Sequence, residues 1–209
     1  ITPGPGGEHA LMGTHNRLFK IASDAFPQAY FEIIAINIKA NNADRTCRNR
    51  WFDMDSSALQ AKIKRTGPQL IHWVASVPQL PPMLAALRSL DIERGNAVQA
   101  SRRTPNGLLQ WQISIREDGQ RLFNGALASL IQWGKTDAAE PLRLHPRNTL
   151  PRSGVSLQSV AVTSLSSDKL QAAYTAIGLS GVTIAQGEPN LTVTLRTPKG
   201  VVTLQSMGI

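Results

Sequence analysis

The chain has 209 residues, 42% of them hydrophobic, which is enough to bury one sizeable core or two small ones. No apolar run is long enough to span a membrane, and no secretory h-region stands at the start. Net charge is +8 and the pI near 10.3, but the basic residues are scattered beyond Arg45/Arg48/Arg50 and Arg102/Arg103. Aromatics make up only 5% of the chain, too few to build stacking platforms for single strands, so attraction of small anions is expected and a nucleic-acid partner is not. The single Cys47 excludes an internal disulfide framework and fits a reducing, cytoplasmic setting. It lies in a polar, basic stretch without a nearby histidine and reads as a loop thiol.

Residues 1–12 are Gly/Pro-rich, with Glu8 and His9 side by side. Two runs, 14–22 and 29–37, are rich in Ile, Phe and Tyr and are punctuated by Asp24 and Pro27, which predicts a hairpin. Residues 39–68 read as a linker with one short helix, capped by Ser56 or Ser57 and stopped at Gly67–Pro68. The order then becomes regular. A strand is predicted over 70–77, a helix over 80–92 with Pro at its start, and strands over 97–101, 107–117 and 128–134. A second linker over 135–152 precedes a strand over 155–164, a helix over 167–179, and three short strands separated by GEPN and PKG turns.

The chain therefore carries the order β-α-β-β-β twice, over 69–134 and 153–209, and the opening hairpin (1–38) fits the last two strands of a further unit. The offset of Gly107 from Leu70, applied to Gly13, places a missing first strand roughly 24 residues ahead of Ile1. The expected fold class is α+β, with β-α-β-β-β units forming a mixed sheet and a shorter unit of the same order at the C-terminus.

Alternation over 30–37 sets Tyr30, Glu32, Ile34 and Ile36 on one face. A carboxylate within an apolar strand is costly to bury, so Glu32 is expected at a solvated cavity, beside a cation, or on a metal. Arg17, on the neighbouring hairpin strand, is the expected ion-pair partner. Thr14, His15 and Asn16 cluster three hydrogen-bonding side chains, and His15 shares its face with Arg17; it is a candidate general base or a strand-edge turn residue. His72 among Leu70 and Val74 reads as a core histidine by pattern. Arg50-Trp51-Phe52 reads as a lid over a pocket or an aromatic anchor, and Arg102 with Arg103 as a bidentate clamp for a carboxylate or phosphate, or a solvated strand end. Gln110, Gln112 and Ser114 alternate with Leu109, Trp111, Ile113 and Ile115; the apolar face is expected to cover the helix and the polar face to line the concave side, or to meet solvent or the other unit. No GxGxxG, GxSxG or HExxH pattern occurs, so no nucleotide cofactor is expected.

The segments GGEHALMGTHNRLFKI, AYFEIIAIN, RNRWFDMD, PQLIHWVASV, SRRTPNGLLQWQISI and LIQWG, covering residues 1 to about 134, resemble the vicinal oxygen chelate (VOC) superfamily and its glyoxalase-like domain family. The resemblance implies paired β-α-β-β-β units whose curled sheets enclose a small oxygen-rich organic substrate and a divalent metal, Zn, Fe, Mn or Ni. It implies metal ligands at Glu32, His72 and Gln132, although a Glu is usual where Gln132 stands. Glu32 and His15 become catalytic candidates, and Arg17, Asn16, Trp51, Arg102 and Gln110 substrate-binding ones. Lyase, isomerase and dioxygenase chemistry all occur on this scaffold, as do non-catalytic binding proteins without metal, and both classes stay open here. A homodimer is expected.

Overall fold

The computed structural model describes residues 1–4, 6–40, 49–104, 107–134, 145 and 150–208; Cys47, the 105–106 turn and most of the second linker lie outside them. The hairpin forms as the alternation predicts. Strand β2 (Thr14–Lys20) pairs antiparallel with β3 (Tyr30–Ile36), with Leu18 opposite Glu32 and Arg17 opposite Ile33. A further strand, β1 (Gly7–His9), adds to the outer edge of β2, where the sequence reads only as a Gly/Pro-rich lead-in. Its pairing is held from the side: Gly7 N donates to the Asn16 side-chain carbonyl at 2.9 Å. Gly13, at φ 59°, supplies the left-handed step between a short 3-10 turn and β2 that a side chain would resist.

Helix α1 (Ser57–Thr66) starts where Ser56 Oγ accepts the Leu59 N–H at 3.3 Å, and it ends at Gly67. Strand β4 (Val74–Ser76) is shorter than the predicted 70–77, because the backbone ahead of it bonds elsewhere: the Ile71 carbonyl accepts from Arg121 and the Trp73 carbonyl from Ser129 N. Helix α2 (Leu80–Arg88) stops before the predicted 92, with Asp91 turning left-handed at φ 53°. Strands β5 (Asn96–Thr104), β6 (Gly107–Ile115) and β7 (Ser129–Trp133) complete a mixed sheet ordered β4-β7-β6-β5, in which β4 runs parallel to β7.

The C-terminal part comprises β8 (Ser156–Ser164), α3 (Ser167–Ala176), β9 (Val182–Gln186), β10 (Asn190–Thr197) and β11 (Gly200–Gln205). Its element order repeats the preceding part, but its pairing does not. The sheet runs β11-β10-β8-β9, with β8 central and parallel to β9. Burial explains the choice: Leu157, Val160 and Val162 of β8 and Leu191, Val193 and Leu195 of β10 are core residues, whereas β11 is largely exposed and suits an edge. The described residues thus form a mixed α+β fold of three helices and three sheets, and none of the helices is long and apolar enough to cross a membrane.

Two apolar clusters hold the molecule together. The larger joins α2 and α3 to β8 and β10, and the buried Tyr174 hydroxyl donates to the Ala126 carbonyl. The smaller unites Met12, Trp51, Leu109, Trp111, Ile113 and Trp133, between the β1–β3 sheet and the β4–β7 sheet. This overturns one expectation. The apolar face of β6 does not cover a helix; it faces the β1–β3 sheet, while α2 lies against the opposite face, where Leu130, Gln132 and Ser114 are buried. Helix α2 brings its own stripe of Leu80, Leu84 and Leu87, so the second sheet needs apolar side chains on both faces.

Candidate functional site

The smaller cluster does not fill the space between its sheets. A cavity of about 40 Å³ remains, room for roughly three water molecules. Trp111 and Ile113 of β6 and Ile131 and Trp133 of β7 form one wall. Asn16 and Leu18 of β2 with Tyr30 and Glu32 of β3 form the wall opposite, and His9, Trp51, Phe52 and Arg102 close the sides. Register decides this lining. Leu18 and Glu32 are cross-strand partners and share a face, as do Trp111 and Trp133, and Arg102 and Leu109.

Glu32 sits partly buried in this wall, and Asn16 Nδ2 donates to its Oε1 at 2.7 Å. No described residue donates to its Oε2. Loss of water pushes the Glu32 carboxyl above its ordinary range; the Asn16 hydrogen bond and the Arg102 charge oppose this without reversing it. Asn16 is itself buried and anchored by the Gly7 N–H, and its amide nitrogen lies 3.3 Å from His9 Nε2. His9 Nδ1 lies 3.0 Å from Thr14 Oγ1. Burial first, then the charges of Arg102 and His15, lower His9 to about 4, so its ring is neutral near pH 7. Burial next to Glu32 raises Tyr30, whose hydroxyl stays protonated. Thr14, Asn16, His9 and Glu32 thus form one polar strip on an otherwise apolar wall.

Trp51 and Phe52 are held by a knot of charge pairs. Asp55 accepts from Arg50 N at 2.7 Å and pairs with its guanidinium at 2.5 Å, while Asp53 pairs with Arg121 Nε at 2.8 Å. Asp53 N also donates to Gly119 O, and Gly119 comes so close to Arg50 that a Cβ there would stand 2.1 Å from the Arg50 carbonyl. Phe52 and Asp53 both adopt left-handed backbone (φ 59° and 57°), a strained pair that the bonds on either side keep in place. His9, Trp51, Phe52 and His72 follow one another in ring contact at 4.9, 5.0 and 4.9 Å. The Trp51 indole N–H is buried and has no hydrogen-bond partner among the described residues.

The structure brings Glu32, Asn16, Trp51 and Arg102 to this cavity and leaves the other sequence candidates outside it. His15 and Arg17 are exposed on the opposite face of β2, so the expected Arg17–Glu32 ion pair does not form: one residue faces solvent and the other the cavity. Gln110 lies on the face of β6 turned away from the cavity, for the same parity reason. Gln132 is fully buried under α2, where its Oε1 accepts the Leu80 N–H at 2.7 Å. This bond has a local cause. The cap residue Gln79 offers no side-chain acceptor, and Pro81 and Pro82 have no N–H, so Leu80 carries the first amide that needs a partner. His72 is bonded through Nε2 to Ser129, at 3.0 Å from its Oγ and 3.3 Å from its amide, and burial holds its pKa well below the ordinary value. Glu32, His72 and Gln132 are therefore not a chelating set: one faces the cavity, one bonds Ser129 beside Phe52, and one caps a helix. No cluster of three or more His, Cys, Asp or Glu suited to a metal occurs among the described residues, and the residues present do not fit the divalent metal that the resemblance implies.

Four cavity residues escape the sequence reading as site residues. Tyr30 shares the Glu32 parity and was legible in the alternation. Trp111 reads as helix-facing core, Trp133 only as a neighbour of Gln132, and His9 as part of a Gly/Pro-rich entry. Beyond these four, His145 was hidden altogether, being in a charged linker; it is buried and packs its ring 4.9 Å from Trp133 and 6.0 Å from Tyr30.

Comparison with known proteins agrees with this architecture. The profile of the glyoxalase-like domain family matches residues 1–178. A crystal structure of a hypothetical protein from Staphylococcus aureus superposes with a TM-score of 0.53 at 15% sequence identity, covering 95% of this chain and 74% of that one, a likeness of fold. No curated protein matches the chain. With 178 of its 209 residues matched, the chain belongs to the glyoxalase-like domain family of the VOC superfamily.

Proposed function

We propose that the chain binds a compact, oxygen-bearing organic molecule in the cavity between the β1–β3 sheet and the β4–β7 sheet, and that Glu32 exchanges a proton with it. The observation that carries this reading is the state of Glu32: a carboxyl in an aromatic wall, fixed through one oxygen by Asn16 at 2.7 Å, with its pKa raised by burial. Such a group is fixed in orientation and moved toward the pH at which it both takes and returns a proton. The supported chemistry is proton transfer at a carbon beside a carbonyl. Asn16 holds the carboxyl, the neutral His9 secures Asn16, and the tryptophan walls keep water out.

In this reading residues 1–38 supply the strands of a first unit, residues 69–134 are the second, and residues 153–209 brace the second from behind through α3. The dispersal of His72 and Gln132 favours direct recognition by the chain's own side chains over metal chelation, and binding without turnover is the second reading on the same cavity.

The test is a titration of small hydroxy, keto and dicarbonyl compounds followed by tryptophan fluorescence, with proton exchange of any binder in D₂O followed by NMR. Binding with exchange that disappears in Glu32→Gln supports the enzymatic reading. Binding with no exchange supports the binding protein. If no compound perturbs Trp51, Trp111 or Trp133, the cavity is not a ligand site and the proposal falls.

A further inference from the structure

Resting on the reading of the cavity as a ligand site, we infer that its ligand is a compact zwitterion: an ammonium group at Glu32 between the tryptophan faces, and a carboxylate at Arg102 on the facing sheet. The argument starts from the charges. Each sheet contributes one charged side chain to the cavity lining, Glu32 from β3 and Arg102 from β5. They are near enough for the Arg102 charge to act on Glu32, Tyr30 and His9. Among the described residues neither forms an ion pair, with the other or with anything else.

Two opposite charges lining one small, largely apolar space, and forming no ion pair with each other, favour a molecule that carries both. A plain anion drawn to Arg102 meets the Glu32 carboxylate, and a plain cation drawn to Glu32 meets the guanidinium. Only a zwitterion has two attractions and no repulsion, and in a site from which water is displaced these terms are at their strongest.

Three further features point the same way. Trp51, Trp111 and Trp133, with Tyr30 and Phe52, line the space beside Glu32, and aromatic faces attract an ammonium as a carboxylate does. The buried Trp51 indole N–H has no hydrogen-bond partner among the described residues and adds an unused donor to the cavity lining, suited to a carboxylate oxygen. Gly7 lets the guanidinium lie against β1: a Cβ built there would come within 2.8 Å of three Arg102 side-chain atoms. The cavity's 40 Å³ restricts the ligand to a few heavy atoms, the size of an amino acid or its N-methyl derivative rather than a peptide or nucleotide.

The test uses three matched probes on the full chain, followed by calorimetry and tryptophan fluorescence: N-methylglycine, butanoate as the anion of similar shape, and N-methylethanolamine as the cation. N-methylglycine is expected to bind at least tenfold more tightly than either. Arg102→Gln should weaken N-methylglycine and butanoate and leave the amine bound at least as tightly; Glu32→Gln should weaken N-methylglycine and the amine and leave butanoate bound at least as tightly. Butanoate binding as tightly as N-methylglycine, or with no response to Arg102→Gln, overturns the zwitterion. Binding of neutral hydroxy or dicarbonyl compounds with silence from all three probes overturns it too, while leaving the cavity a ligand site. Silence from every compound removes both readings together.

Discussion

Asn16 donates to Glu32 across the β2–β3 pair at 2.7 Å, and the same side chain accepts the Gly7 N–H on its other flank at 2.9 Å. One amide thus ties the candidate acid–base group to the added strand β1. Asn16→Ala should destabilise the fold by about 1–3 kcal/mol, since it strands the Gly7 N–H and one Glu32 oxygen in a partly buried site. It should also raise the Glu32 pKa further, because the amide is the largest influence holding it down. Urea unfolding and an NMR titration of the Glu32 side chain measure the two effects.

Acid should act on this protein partly through His9. The ring titrates near 4 in the folded chain against an ordinary 6.5, so between these values the unfolded chain binds a proton that the folded chain does not. Stability from this source is complete above pH 6.5 and is lost as pH falls toward 4, with His72 acting in the same direction. Glu32 works oppositely: above its ordinary 4.5 the folded chain keeps a proton that the unfolded chain releases, so stability falls as pH rises through that window. Melting temperatures across pH 4–7.5 should therefore drop less on acidification in His9→Gln, and less on alkalinisation in Glu32→Gln, than in the unaltered chain.

Gln132→Leu separates fold from site. Removing the acceptor for the buried Leu80 N–H should cost about 1–3 kcal/mol in denaturant unfolding. Ligand affinity at the cavity should stay unchanged, because the side chain points to α2. A selective loss of ligand or metal binding in a stably folded Gln132→Leu protein would contradict this placement.

Chelator treatment should leave ligand affinity unaltered, and equilibrium dialysis against Zn²⁺ or Mn²⁺ should give less than one ion per chain. Both follow from the separation of Glu32, His72 and Gln132 into different surroundings. A stoichiometric ion that is lost in Glu32→Gln would restore the chelate reading.

Gly7→Ala should weaken binding of a carboxylate-bearing ligand several-fold with little change in thermal stability. The added methyl displaces the flexible Arg102 guanidinium rather than backbone. Parallel calorimetry and melting curves on the variant report both.

The amino-acid sequence by itself determined every helix and strand but β1, and the parities of the strands. Alternation in YFEIIAI put Tyr30 and Glu32 on one face and Ile33 on the other; Ser56 and Gly67 marked the start and end of α1, and the two prolines of LPPMLAALR the start of α2. The same parity already separated Asn16 from His15 and Arg17, but not which set would face inward. A strand's period of two assigns residues to faces; what each face meets depends on its neighbours across the sheet and above it. Tertiary packing decided that the apolar face of β6 meets Glu32 rather than α2, and that Gln132 serves a helix terminus. It also brought His145, from a linker with no periodicity, against Trp133. Likewise β8-α3-β9-β10-β11 repeats an element order but not a sheet, because strand order is set by which strands need burial on both faces. The proposed chemistry at Glu32 rests on both levels: a carboxylate in an apolar strand was visible as a sequence anomaly, and only the facing sheet supplied the aromatic wall and the arginine that line the same cavity.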